Sequence, residues 1–95
     1  MNTLEVLIAA RKLIEKPGNW GKGPPRYRPG TLCTIEAVAR ASLSFSNEDY
    51  VAAGRRLQDI TGTGLTCWND KASRTHPEVL ALFDRAIAAE RGRAR

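Results

Sequence analysis

The residue types that carry chemistry gather in two stretches, CTIEAVARA at 33–41 and CWNDKASRTHPEVLALFDRAI at 67–87. Cys33 stands near the start of an expected helix, where the positive end of the helix dipole favours a thiolate nucleophile. His76, the single histidine, could serve as its base, with Asp70 as the group that orients the imidazole. That set would support a cysteine-dependent hydrolase or transferase. A helical domain with a cysteine, a histidine and some acids offers such a set by composition alone, and a free cysteine is commonly an inert core residue. The reading therefore favours a non-enzymatic protein. Trp68, Asn69, Asp70, Arg74 and Thr75 form a second group. Asn and Asp bond their own backbone in turns, and Asp70 could pair with Arg74. The group reads as a rigid corner that launches the next helix, or as a polar pocket.

Metal and phosphate chemistry find little support. No CxxC or CxxH spacing exists, so neither a metal nor a cofactor is expected. ThrGlyThrGly at 61–64 lacks the Lys-Ser/Thr ending of a phosphate loop. Cys33 and Cys67 are expected as free thiols in a reducing compartment.

The charge is unevenly placed along a chain of net charge +5. Arg11, Lys12, Lys16, Lys22, Arg26 and Arg28 face only Glu15 between residues 11 and 28, and RGRAR closes the chain with Arg91, Arg93 and Arg95. Lys22, Arg26, Tyr27 and Arg28, helped by the arginine tail, are thus the candidate contact surface for an anionic protein face or a nucleic acid. Trp20 and the Arg-Tyr-Arg run could stack on a base or a partner.

The elements that must position these groups read as an all-α single domain over 1–90 with a basic tail at 91–95. Four helices are expected, with one long Pro/Gly-rich loop. The first spans 3–16, with Asn2 and Glu5 as a capping box and a stripe of Leu4, Leu7, Ile8, Arg11 and Ile14 broadened by Val6, Ala10 and Leu13. Pro17-Gly18 stops it. The loop PGNWGKGPPRYRPG holds four of the five prolines and four of the eight glycines, and Trp20 should pin it to the core. The second helix spans 32–42 after a Thr31 cap, with Leu32, Ile35, Val38, Ala39 and Ser42 inward. The third spans 47–60, capped by Ser46 or Asn47, with Tyr50, Ala53, Gly54, Leu57 and Ile60 on one face; Gly54 there implies a closely packed neighbour. Residues 65–74 are expected as a structured connection or short extended piece. The last helix spans 76–91, with Thr75 and Glu78 as capping box and Val79, Leu82, Phe83, Ala86 and Ile87 inward, before a fraying end. The chain shows no membrane-spanning run and no basic leader, so a cytoplasmic location is the default.

LIEKPGNW, CTIEAVARA and WNDKASRTHPEVLALFDRAI together resemble a small helical family of bacterial and phage-associated proteins, domain of unknown function 6197. The resemblance spans nearly all the chain and implies a compact helical fold without assigning an activity or catalytic residues. Three features depart from the family pattern. Glu36 stands where a glycine is usual, Asn19 separates Gly18 from Trp20, and the loop before Cys33 is short and basic. The leading expectation is a small basic binding or modulator protein, encoded by a phage or mobile element, for a host protein or a nucleic acid. The alternatives are the cysteine-dependent enzyme and a homo-oligomeric scaffold that pairs through an exposed apolar face of the first or last helix.

Overall fold

A computed structural model describes residues 2–23 and 28–93. Five helices follow one another: α1 Thr3–Leu13, α2 Thr34–Ser42, α3 Asn47–Thr61, α4 Leu65–Asp70 and α5 His76–Arg93, with a 3-10 turn at Pro17–Asn19. No strand occurs among the described residues. The all-α class expected from the sequence is the class observed, with one helix more than expected.

The hydrophobic effect sets the arrangement. α1 packs against α2, α3 and α5, while α4 packs against α2 and α3. Phe83, Leu7, Ile14, Leu57, Val6, Val38 and Val79 are the largest fully buried apolar side chains. On α5 the buried set is the expected one: Val79, Leu82, Phe83, Ala86 and Ile87. On α1 the face is turned. Thr3, Val6, Leu7, Ala10 and Ile14 are buried, whereas Ile8 is 39% exposed. On α2 the buried face is Thr34, Ala37, Val38, Ala41 and Ser42, with Ile35 only partly buried and Ala39 exposed. Small residues fill that face. They let the helix approach its neighbours closely, and a search for large apolar residues passes over them.

Local chemistry explains the remaining boundaries. α1 stops three residues early because Lys16 precedes proline and is extended (φ −81°, ψ 134°). Asn2 makes no side-chain cap; its backbone N–H instead donates to Asp49 Oδ1 at 2.7 Å and ties the N-terminus to α3. α2 begins at Thr34, not at 32. Leu32 is extended beside Trp20 in an isolated parallel bridge, in which Leu32 N–H donates to Asn19 O and Gly21 N–H to Leu32 O. Cys33 therefore takes the N-cap position, with Glu36 accepting its N–H at 3.0 Å, and the Thr31 hydroxyl donates to Arg28 O at 2.6 Å instead of capping. Ser46 caps α3 as expected, and Gly62 ends it with φ 72°, a left-handed conformation that favours glycine. α5 runs on through Arg91 and Arg93, so the first part of the expected basic tail is helical; Arg95 lies outside the described residues.

Candidate functional site

The centre of the polar architecture is Asn69, fully buried on the last turn of α4. Leu65 and Asn69, four apart, point the same way into the protein. Three donors converge on Asn69 Oδ1: Trp20 Nε1 at 2.7 Å, Thr34 N–H at 3.0 Å and the Thr34 hydroxyl at 2.7 Å. Asn69 Nδ2 donates to Gly21 O at 3.2 Å and to Asp70 Oδ1 at 2.9 Å. The amide can face only one way, because the indole and backbone N–H groups donate and cannot accept. One side chain thus joins the Trp20 loop, the start of α2 and the end of α4. Trp20 packs against the hydrophobic core as expected of it. Its ring also lies 6.0 Å from that of His76, centroid to centroid.

Asp70 and Lys22 continue the seam outward. Gly23 N–H donates to Asp70 Oδ1 at 3.0 Å, and Lys22 Nζ donates to Ala72 O at 2.9 Å. Arg28 Nη2 reaches Trp20 O at 3.2 Å. At Gly21 a Cβ would lie 2.4 Å from the Thr31 hydroxyl oxygen, so the crossing of the two chain segments needs a glycine. Lys22 and Arg28, the described members of the basic candidate, join the Trp-Asn-Asp segment, a separate candidate in the sequence, in one structural unit. Lys71, exposed at the same corner, adds a cation that the sequence reading did not single out. The only sequence signal for it is its place directly after Asp70. Arg26 and Tyr27 lie outside the described residues. Arg91 and Arg93 do not join the corner. They stand at the far end of α5 from His76, about 22 Å along the axis at 1.5 Å per residue.

Of the residues expected around a polar pocket, Asn69, Asp70 and Thr75 are engaged in bonds of the fold, while Trp68 and Arg74 line a groove of about 280 Å³ together with Glu78 and Arg85. Nor is there a loop turn: Trp68, Asn69 and Asp70 are helical, because Gly64 starts a new helix at Leu65. Arg74 does not pair with Asp70. Its guanidinium sits 3.8 Å from the centre of the Trp68 ring, its Nε donates to Trp68 O at 2.9 Å, and its Nη1 reaches Glu78 Oε2 at 3.2 Å. Thr75 donates to Glu78 Oε1 through its N–H (2.9 Å) and its hydroxyl (3.1 Å). Those N–H and hydroxyl donors, with Arg74 beside them, hold the Glu78 carboxyl below its ordinary range.

The candidate catalytic residues are not linked to one another. Cys33 is buried, and burial pushes its thiol up to about 11, so it is protonated at neutral pH. His76 Nε2 is 2.7 Å from Ile14 O, a bond that anchors α5 to the end of α1. Asp70 is held by Gly23 and Asn69. Cys33 and Cys67 are both free thiols, the second exposed. Among the described residues, no group of three His, Cys, Asp or Glu side chains is placed to hold a metal ion.

The carboxylates are largely committed within the fold. Glu36, Asp49, Asp70 and Glu78 accept backbone N–H groups. Asp84 and Glu15 pair with Arg11, and Glu90 pairs with Arg56. Lys12, Lys16, Arg40, Arg55, Lys71 and Arg85 have no acidic partner among the described residues. Glu5, Glu48 and Asp59 are exposed and, among the described residues, have no ion pair, so unpaired charges of both signs stand on the surface, with the positive ones in excess.

A sequence family described as a family of unknown function (DUF6197) matches residues 1–89. No curated protein and no solved structure matches the chain. No helix among the described residues is long and apolar enough to cross a membrane.

Proposed function

The chain belongs to the DUF6197 family, whose function is unknown, and from its own geometry we propose a non-enzymatic binding protein whose basic corner docks on an anionic macromolecule. The carrying observation is the placement of Lys22, Arg28 and Lys71 around one rigid seam. Asp70, next to Lys71 in the chain, already accepts from Gly23 N–H and Asn69. Arg26 and Tyr27 belong to the intervening loop and would add a cation and a stacking ring. A rigid platform suits this role, because side chains anchored at their base lose less freedom when a partner arrives. The modulator role, a phage or mobile-element origin and a cytoplasmic location belong to the same proposal.

Fluorescence anisotropy tests the reading. Labelled single- and double-stranded oligonucleotides and poly-glutamate are titrated with the protein between about 50 and 200 mM salt. Binding that weakens steeply with salt is expected for at least one of these polyanions. If it is a nucleic acid, Lys71→Ala should reduce the slope of log K against log salt by about 0.7–0.9, the share of one phosphate contact. Lys71 is suited to this because its side chain makes no hydrogen bond or ion pair among the described residues, so the fold stays intact. Failure to bind any of the three polymers at low salt overturns the proposal.

A further inference from the structure

A groove of about 400 Å³ runs between α3, α4 and the start of α2, apart from the basic corner. Ile35, Val51 and Leu65 give it apolar walls, and Gly54 and Gly64 lie along it. The glycines are its telling feature. Gly54 sits inside α3, where glycine weakens a helix relative to alanine. The neighbouring helix there, α2, does not press closely enough to require a glycine. A Cβ at Gly54 would meet only Ile35 Cδ1, at an ordinary 3.9 Å. A Cβ at Gly64 would meet nothing within 4 Å, and its backbone (φ −60°, ψ 141°) is open to any residue. Glycine is a common helix cap, but serine or asparagine would serve this position at least as well. Neither packing nor backbone conformation asks for the two glycines. What they do together is leave space.

The rim of that space is positive. Arg55 lines it, is exposed and has no acidic partner among the described residues. None of the lining residues is acidic. The volume falls within the range of small-molecule sites, which combine apolar walls with a few fixed polar groups. We infer that the groove binds a small amphipathic anion, an aliphatic or aromatic carboxylate. Its apolar body lies on Ile35, Val51 and Leu65 over Gly54, and its charge pairs with Arg55. This site shares no residue with the basic corner and stands or falls independently of it.

The protein carries its own reporter. Cys67 is exposed and lines the groove, whereas Cys33 is buried. The rate of Cys67 alkylation by N-ethylmaleimide is followed by mass spectrometry with octanoate or with neutral octanol. Octanoate should slow the reaction severalfold and saturably, and octanol much less. Arg55→Gln should abolish the preference for octanoate. Gly54→Leu, which fills the floor, should remove protection by both. Gly54→Ala should raise the thermal midpoint by roughly 4–8 °C, since a helix former replaces a glycine that packing does not need. No protection by octanoate, equal protection by octanol, or a lowered midpoint in Gly54→Ala each overturns the inference. The Arg55 and alanine variants keep the test decisive if Gly54→Leu fails to fold.

Discussion

Asn69 holds three chain segments together through one amide, and its removal should be felt in all of them. Asn69→Ala leaves the Trp20 indole N–H, the Thr34 N–H and the Thr34 hydroxyl without their shared acceptor. The buried Thr34 N–H left unmet costs about 1–3 kcal/mol; the Thr34 hydroxyl can rotate and the part-buried indole can reach water, so each costs less, and the cavity adds to the total. The variant should lose roughly 3–5 kcal/mol, a large part of the 5–15 kcal/mol typical of a domain. Urea denaturation measures it, and a loss below about 1 kcal/mol, the worth of one ordinary hydrogen bond, would show that the three donors do not depend on this oxygen. In the sequence, Trp68 to Asp70 could be read as a rigid structural piece, but its partners could not. Asp70 reads as a partner for Arg74, four residues on, because a sequence displays near neighbours. Its actual contact is Gly23, 47 residues away. Trp20 was placeable in the core because a large aromatic in a loop must bury its ring. The acceptor for its N–H depended on a fold not yet known.

Among the elements, what could be read followed the strength of the local signal. α5 combines a capping residue with five apolar residues at helical spacing, and its inner face was foreseen residue by residue. α4 is not legible in the sequence because LTCWND spans six residues and is too short to show a period. On the inner face of α2, Val38 and Ser42 are legible in the sequence, whereas Thr34, Ala37 and Ala41 are not, because they hold their places by being small. The cap of α3 is legible as Ser46 or Asn47; the part Asp49 plays in closing that cap and in reaching α1 is not. Its carboxylate accepts Asn2 N–H, as well as the Ser46 hydroxyl and N–H, and the Asn2 bond foremost holds its pKa below the ordinary value. A carboxylate more acidic when folded than unfolded stabilises the fold above its unfolded pKa, about 3.9. That contribution fades as pH falls through the folded value. Asp49→Asn should therefore be less stable than the parent at pH 7, and the gap should narrow towards pH 3. Urea midpoints across that range decide it; a gap independent of pH would mean that the charge of Asp49 is not what joins α1 to α3.

At the scale of the whole molecule, the distribution of apolar surface argues for a solitary chain. The exposed large apolar residues among those described are Ile8, Leu13, Leu43 and Val51. Ile8 and Leu13 are five residues apart on α1 and its end, about 140° around a helix of 3.6 residues per turn, so they form no common stripe. α5 contributes none. A stable homodimer buries about 800 Å² on each partner around an apolar centre, and these separated side chains do not supply one. The unpaired cations act in the same direction, since two copies of net charge +5 repel at low salt. On this distribution a single chain is the expected state, and a scaffold paired through the first or last helix the disfavoured one. Light scattering should return the 10.4 kDa mass of one chain across a wide concentration range and at both low and high salt. A mass that doubles with concentration would mean that the groove beside Val51, or the exposed Leu43, meets a second copy. Cys67 should then become less reactive in the first case and stay reactive in the second, which identifies the face that pairs.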